Sequence, residues 1–242
     1  MKMNQNLPAI TDKNFTSKFF AKLKELGTSG IEGVTGILAS DKSDRILTAG
    51  RLFQGLINQE FLKILLDEWN NLRRKGCIKD EYQQTEQHHA CLQEMLDFID
   101  SDKPDKTRFE FMKKIFLSAA TETIEDRNSV LPQQYMFIAR KMTSGDALLL
   151  TGLYEMYLKK IFNSTYRYAE QWIADAAKNT SFKHEALVVF HEKHLMELCI
   201  IDWSRKGSGQ NRIERADYNR LTTLALELCE FIKNYDKLIK ND

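Results

Sequence analysis

Apolar residues recur at steps of three and four along most of this chain, the spacing that lines one face of an α-helix. After Asn14, the positions Phe15, Phe19, Leu23 and Leu26 predict a short amphipathic helix, closed by Gly27. A longer stripe runs through Ile46, Ala49, Phe53, Ile57, Phe61, Leu65, Trp69 and Leu72. Ser43 or Asp44 caps it, Arg73, Arg74 and Lys75 suit the negative end of its dipole, and Gly76 stops it. Further helices are expected over about 85–99, with Cys91, Leu92, Met95, Leu96 and Ile99 inward, and from Pro104 or Asp105 to about Thr121, with Phe109, Met112, Ile115 and Phe116 inward. Pro132 suits the first turn of another, reaching about Met142. Thr143-Ser144-Gly145-Asp146 then supplies caps for a helix over about 146–161, followed by two more over about 166–178 and 182–198.

The period changes after Leu198. Leu198-Cys199-Ile200-Ile201-Asp202-Trp203 is β-branched and aromatic enough for a strand, Arg205 to Asn211 reads as a flexible tip, and Arg212 to Asn219 as the returning strand. Leu221, Leu224, Ala225, Leu228, Ile232, Tyr235 and Ile239 then mark a closing helix. Three helices, a hairpin and a helix make a winged-helix-like order. The fold class expected is mainly α, a multi-helix N-terminal bundle followed by a winged-helix-like C-terminal unit with a short β-hairpin. The domain reading is a tail over 1–13, a helical domain over 14–142 and the winged-helix-like domain over 143–242.

Composition narrows the function. The 35 Lys and Arg balance 34 Asp and Glu across 242 residues, so no whole-protein basic footprint points to nucleic acid. Only 3 Pro and 11 Gly disfavour turn-dense all-β folds. Residues 1–10 lack the apolar core of a signal peptide, and no aliphatic run approaches the roughly 20 residues of a membrane span. Cys77, Cys91, Cys199 and Cys229 show no C-x-x-C spacing, which reads as free, mostly buried thiols in a reducing cytoplasm. Six of the glycines fall between 27 and 55, and Gly27, Gly30, Gly33 and Gly36 recur every third residue. Glycine costs a helix roughly 1 kcal/mol per position. Segment 27–38 is therefore either a loop or poor helix packed closely through its glycines or a mobile stretch that orders on a partner or a membrane.

Two stretches carry a resemblance. One is Leu47-Thr48-Ala49-Gly50-Arg51-Leu52 with Arg73-Arg74-Lys75-Gly76 and Phe98-Ile99-Asp100. The other is Leu195-Met196-Glu197-Leu198, the hairpin, and Leu221-Thr222-Thr223-Leu224-Ala225. Together they resemble uncharacterised bacterial helical proteins and, more distantly, the Abi-alpha-type group associated with abortive infection of phage-infected cells. The glycine usual after the Leu-Thr opening is replaced here by Leu224-Ala225. The resemblance implies a non-enzymatic defence or regulatory protein and carries over no catalytic residue.

The chain holds few constellations for chemistry. His184, His191 and His194 fall within about 80° of helical arc, but span nearly three turns with no carboxylate among them, since Glu192 and Glu197 point elsewhere. They read as interface or satisfied core histidines rather than a metal site, which wants three or four convergent ligands. Glu86-x-x-His89 has di-iron spacing but no second copy, and reads as an exposed helix start. Phosphate-loop, nucleophile-elbow and H-E-x-x-H motifs are absent. No catalytic residue, metal or cofactor is expected.

The expected function is thus a non-enzymatic protein-interaction or regulatory protein in bacterial phage defence. Its partner is another protein chain, a second copy of itself included. The partner-facing residues expected are Gly27, Gly30, Gly33, Gly36, Phe53 and Ile57. One alternative is a DNA-binding winged-helix regulator using Arg205, Lys206, Arg212, Arg215 and Arg220, against which the glutamates of the preceding helix count. Another is a membrane-acting effector through residues 28–66, although no integral membrane segment is present by hydropathy.

Overall fold

The computed structural model describes residues 42–78, 85–100, 105–121, 130–161, 169–180, 182–202 and 220–240, the side chains of 42–56, 169 and 238–240 excepted. Among the described residues the chain is mainly helical: α1 Lys42–Arg74, α2 Glu86–Asp100, α3 Lys106–Thr121, α4 Leu131–Lys141, α5 Ser144–Leu158, α6 Ala169–Asn179, α7 Glu185–Glu197 and α8 Thr223–Lys240. It divides into two compact units, one of residues 1–104 with 119–130 and one of 105–118 with 131–242.

In the first unit, the α1 stripe is buried from Phe61 onward, as its spacing requires. Phe61, Leu62, Leu65, Trp69 and Leu72 are buried, as are Cys91, Leu92, Met95, Phe98 and Ile99 of α2, the helix it packs against. Gly76 closes α1 with φ +71, and the Cys77 amide reaches back to the Leu72 carbonyl, a left-handed stop that glycine accepts without strain. At the head of α2 the Thr85 hydroxyl accepts the His88 amide. His88 itself, absent from the predicted inner face, is fully buried, with its ring 5.3 Å from that of Trp69.

The second unit is arranged around α5, which is apolar nearly all round and packs against α6, α7 and α8. A helix of that kind needs neighbours on most sides. Leu149, Leu150, Leu153 and Met156 fill the centre, with Trp172 of α6, Val188 and Leu195 of α7, and Leu228 and Tyr235 of α8 also buried. Gly152 of α5 comes so close to Thr180 that a Cβ would lie 2.6 Å from its methyl carbon. Ser118 of α3 donates to the Phe231 carbonyl of α8, and Arg108 donates to the Arg140 carbonyl at the end of α4.

The structure corrects the predicted strand at 198–203. Leu198 caps α7, and Cys199 turns left-handed with φ +59, so that the Ile200 amide returns to the Leu195 carbonyl. Only then does the backbone extend. Ile201 and Leu221 form an isolated antiparallel bridge, with the Asp202 amide on the Arg220 carbonyl and the Thr222 amide on the Ile200 carbonyl. No β-hairpin is formed among the described residues, and the expected tip and returning strand over 203–219 lie outside them. The helix-capping turn also exposes Cys199, which was expected to be buried with Cys91 and Cys229.

Candidate functional site

The densest polar cluster of the second unit starts from a helix cap. Thr143 is the N-cap of α5, and its hydroxyl accepts the Asp146 amide while the Asp146 carboxylate accepts the Thr143 amide. This capping box lets Asp146 satisfy the helix start and complement its dipole. The same carboxylate is fully buried and serves a second purpose. Its Oδ1 lies 2.8 Å from His191 Nδ1 and its Oδ2 2.6 Å from His194 Nδ1. An ionised carboxylate only accepts, so both imidazoles donate their Nδ1–H. With the Thr143 amide and hydroxyl, the carboxylate receives four donors, three of them on Oδ2 and one, from His191, on Oδ1.

Burial pushes the Asp146 carboxyl upward, but the Thr143 amide, the Thr143 hydroxyl and the two imidazoles outweigh it and hold the group below its ordinary value. The charge is therefore retained in the interior because it is fully hydrogen-bonded. His191 is further boxed in by Phe182 and Phe190, each with ring centroids 5.1 Å away. It also lies on Gly145, where a Cβ would come within 2.1 Å of the ring.

A second polar anchor holds α7 one turn of side chains away. Arg220, at φ +63, is buried and pairs with Glu192 of α7. It donates twice to the Asp202 carbonyl, at 3.0 and 2.8 Å, and its guanidinium lies 4.8 Å from the Trp172 ring centre. The helix is thus fixed by His191, Glu192 and His194, while Val188 and Leu195 are its only buried apolar residues. Its outward side keeps Leu187, Val189 and Phe190 at 43, 45 and 66% exposure.

Of the three histidines predicted to share a face, the structure brings together two. His184 is the N-cap residue, with extended backbone at φ −124 and ψ 125, so the helical arc does not extend to it. The missing carboxylate is Asp146, 45 residues upstream of His191 and on another helix. The only hint in the sequence was the T-x-x-D spacing of the capping box, read there as a cap alone. Arg220 is corrected as a nucleic-acid contact: its charge is buried against Glu192 rather than offered to a phosphate. Arg205, Lys206, Arg212 and Arg215 lie outside the described residues, as do Gly27, Gly30, Gly33 and Gly36. Phe53 lies in α1 where only the backbone is described, and Ile57 is half-buried.

Each imidazole, with Nδ1–H on a carboxylate, leaves Nε2 as its basic nitrogen, the tautomer a histidine–aspartate pair uses in proton transfer. Among the described residues no group of three His, Cys, Asp or Glu is arranged to hold a metal, and no helix is long and apolar enough to cross a membrane. The chain matches no family model, no curated protein and no solved structure.

Proposed function

We propose that this chain is a non-enzymatic interaction protein of the regulatory or phage-defence kind, and that α7 is its docking helix. The observation that carries the reading is the division of labour on α7. Its polar anchors are His191, Glu192 and His194, while Leu187, Val189 and Phe190 are left exposed beside Glu185, Lys193 and Glu197. Exposed aromatic and aliphatic residues grouped on one element are the usual core of a protein contact. In a winged-helix-like unit this is the helix that would enter a DNA groove, but its exposed residues combine Leu187, Val189 and Phe190 with Glu185, Lys193 and Glu197, with no excess of positive charge, and Arg220 and Glu192 neutralise each other in the interior. The resemblance to the abortive-infection group supports placing the contact in phage defence.

The test is site-specific photo-crosslinking in phage-infected cells, with benzoylphenylalanine at position 190 and, as control, at the exposed Lys178 of α6. The reading expects one discrete protein adduct from 190, lost when Leu187→Asp is added, and none from 178. Equal labelling from both positions would sink it. So would duplex DNA binding that weakens about 10³-fold between 50 and 200 mM salt, the mark of several phosphate contacts.

A further inference from the structure

A groove of about 450 Å³ opens between α3, α5 and α8 in the second unit, away from the α7 surface. That volume lies in the range of small-molecule sites, roughly 300–1,000 Å³. Its walls are mostly apolar, with Phe111, Leu148, Tyr154, Leu158 and Ile232 the large contributors. Leu148 and Leu158 leave enough surface uncovered to count among the exposed apolar residues of the chain, so the groove lacks a natural filling from its own walls.

Its rim decides what would suit it. Three acids line the groove, Glu110, Glu155 and Asp236, and each is already paired with a lysine. Glu110 is 2.8 Å from Lys113, Asp236 is 2.8 Å from Lys114 and Glu155 is 3.4 Å from Lys159. Two lysines of the lining, Lys233 and Lys237, have no carboxylate partner among the described residues. Lys233 stands 6.0 Å from the Tyr154 ring centre, and Lys237 donates to the Asn234 side chain. Glu230 lies near Tyr154 but outside the lining. The groove is therefore an apolar trough whose lining balances three lysines against three acids, and whose two cations without a carboxylate partner among the described residues, Lys233 and Lys237, stand one turn apart on α8. We infer that it binds a long-chain fatty acid, with the acyl chain along Phe111, Leu148, Leu158 and Ile232 and the carboxylate on Lys233 and Lys237.

The experiment is calorimetric titration of the full chain with sodium octanoate, decanoate and dodecanoate below their micelle concentrations. Burying each methylene is worth about 0.8 kcal/mol, so affinity is expected to tighten about fourfold per added carbon. The double variant Lys233→Glu/Lys237→Glu is expected to weaken dodecanoate at least tenfold, and dodecanol is expected to bind correspondingly less than dodecanoate. Thr151→Trp, which places an indole in the groove, should abolish binding; Leu148→Asp is the second blocking variant, and each is read only where its circular dichroism matches the parent. The inference is overturned by no dodecanoate binding at millimolar concentration. Binding that ignores both blocking variants, or that treats the alcohol and the acid alike, overturns it equally.

Discussion

Gly145 and His191 touch so closely that no other residue fits at position 145 without moving the ring. A Cβ there would lie 2.1 Å from Cε1, 2.2 Å from Nε2 and 2.8 Å from Nδ1. On helix propensity alone, Gly145→Ala would stabilise by up to about 1 kcal/mol. The contact reverses that sign, because the imidazole must leave the Asp146 carboxylate. A net loss of about 1–3 kcal/mol is expected in urea unfolding. The loss should largely vanish when Gly145→Ala is made on a His191→Ala background, where the clash has no second party.

Asp146→Asn tests the shared carboxylate. The amide keeps the shape but loses the charge, and its NH₂ faces donors. A cost of about 2–4 kcal/mol at pH 7 is expected by denaturant titration. The pH dependence has a fixed sign. The folded group titrates below its ordinary value of 3.8, so its contribution is complete above about pH 4 and is lost as pH falls further. The variant should lack that acid limb.

His88 governs a different window. Burial first, and the neighbouring His89 charge second, lower its pKa to about 3 from 6.5. Below about pH 6.5 the unfolded chain gains a proton there that the folded chain does not. Stability from this site is then expected to fall by about 1.4 kcal/mol per pH unit until about pH 3. His88→Leu should flatten the slope between pH 6 and pH 4 in a melting series while leaving the Asp146 limb intact.

Cys199 occupies the left-handed position that glycine takes at Gly76. Cys199→Gly is expected to relieve the strain of a side chain at φ +59 and raise stability by about 1 kcal/mol. A melting temperature lower than that of the parent would contradict the assignment of strain.

Leu187→Asp and Phe190→Asp bear on the docking surface. Both residues are exposed, so Leu187→Asp should move stability by no more than about 0.5 kcal/mol and Phe190→Asp by about 1 kcal/mol through its lost contact with the His191 ring, while partner crosslinking is lost. A large destabilisation of either variant would show that these side chains serve the fold instead.

The helices were legible because their signals are local. The stripe Phe61, Leu65, Trp69, Leu72 is buried, Thr143 and Asp146 form the cap, and Gly76 ends α1. What escaped the sequence was long-range. The Asp146–His191 contact spans 45 residues and the Arg220–Glu192 pair 28, and no periodicity links such positions. Helical arithmetic placed His191 and His194 together correctly, but ran past the helix start to include His184. The run Cys199-Ile200-Ile201 looked like a strand by composition. Its first residue instead reverses the chain, a backbone choice that cysteine does not advertise.

The two imidazoles that share Asp146 have a consequence for how this surface can change over generations. They stand three residues apart on α7, so rotating the helix by one residue would break both bonds at once. Register is thereby encoded in three inner positions, His191, Glu192 and His194, and not in the residues that face outward. Phe190 packs edge-on against the His191 ring and is tied to that anchor, while Leu187 and Val189 lie outside the set of polar anchors. Positions 187 and 189 can therefore change without altering the polar contacts that set the register of the helix.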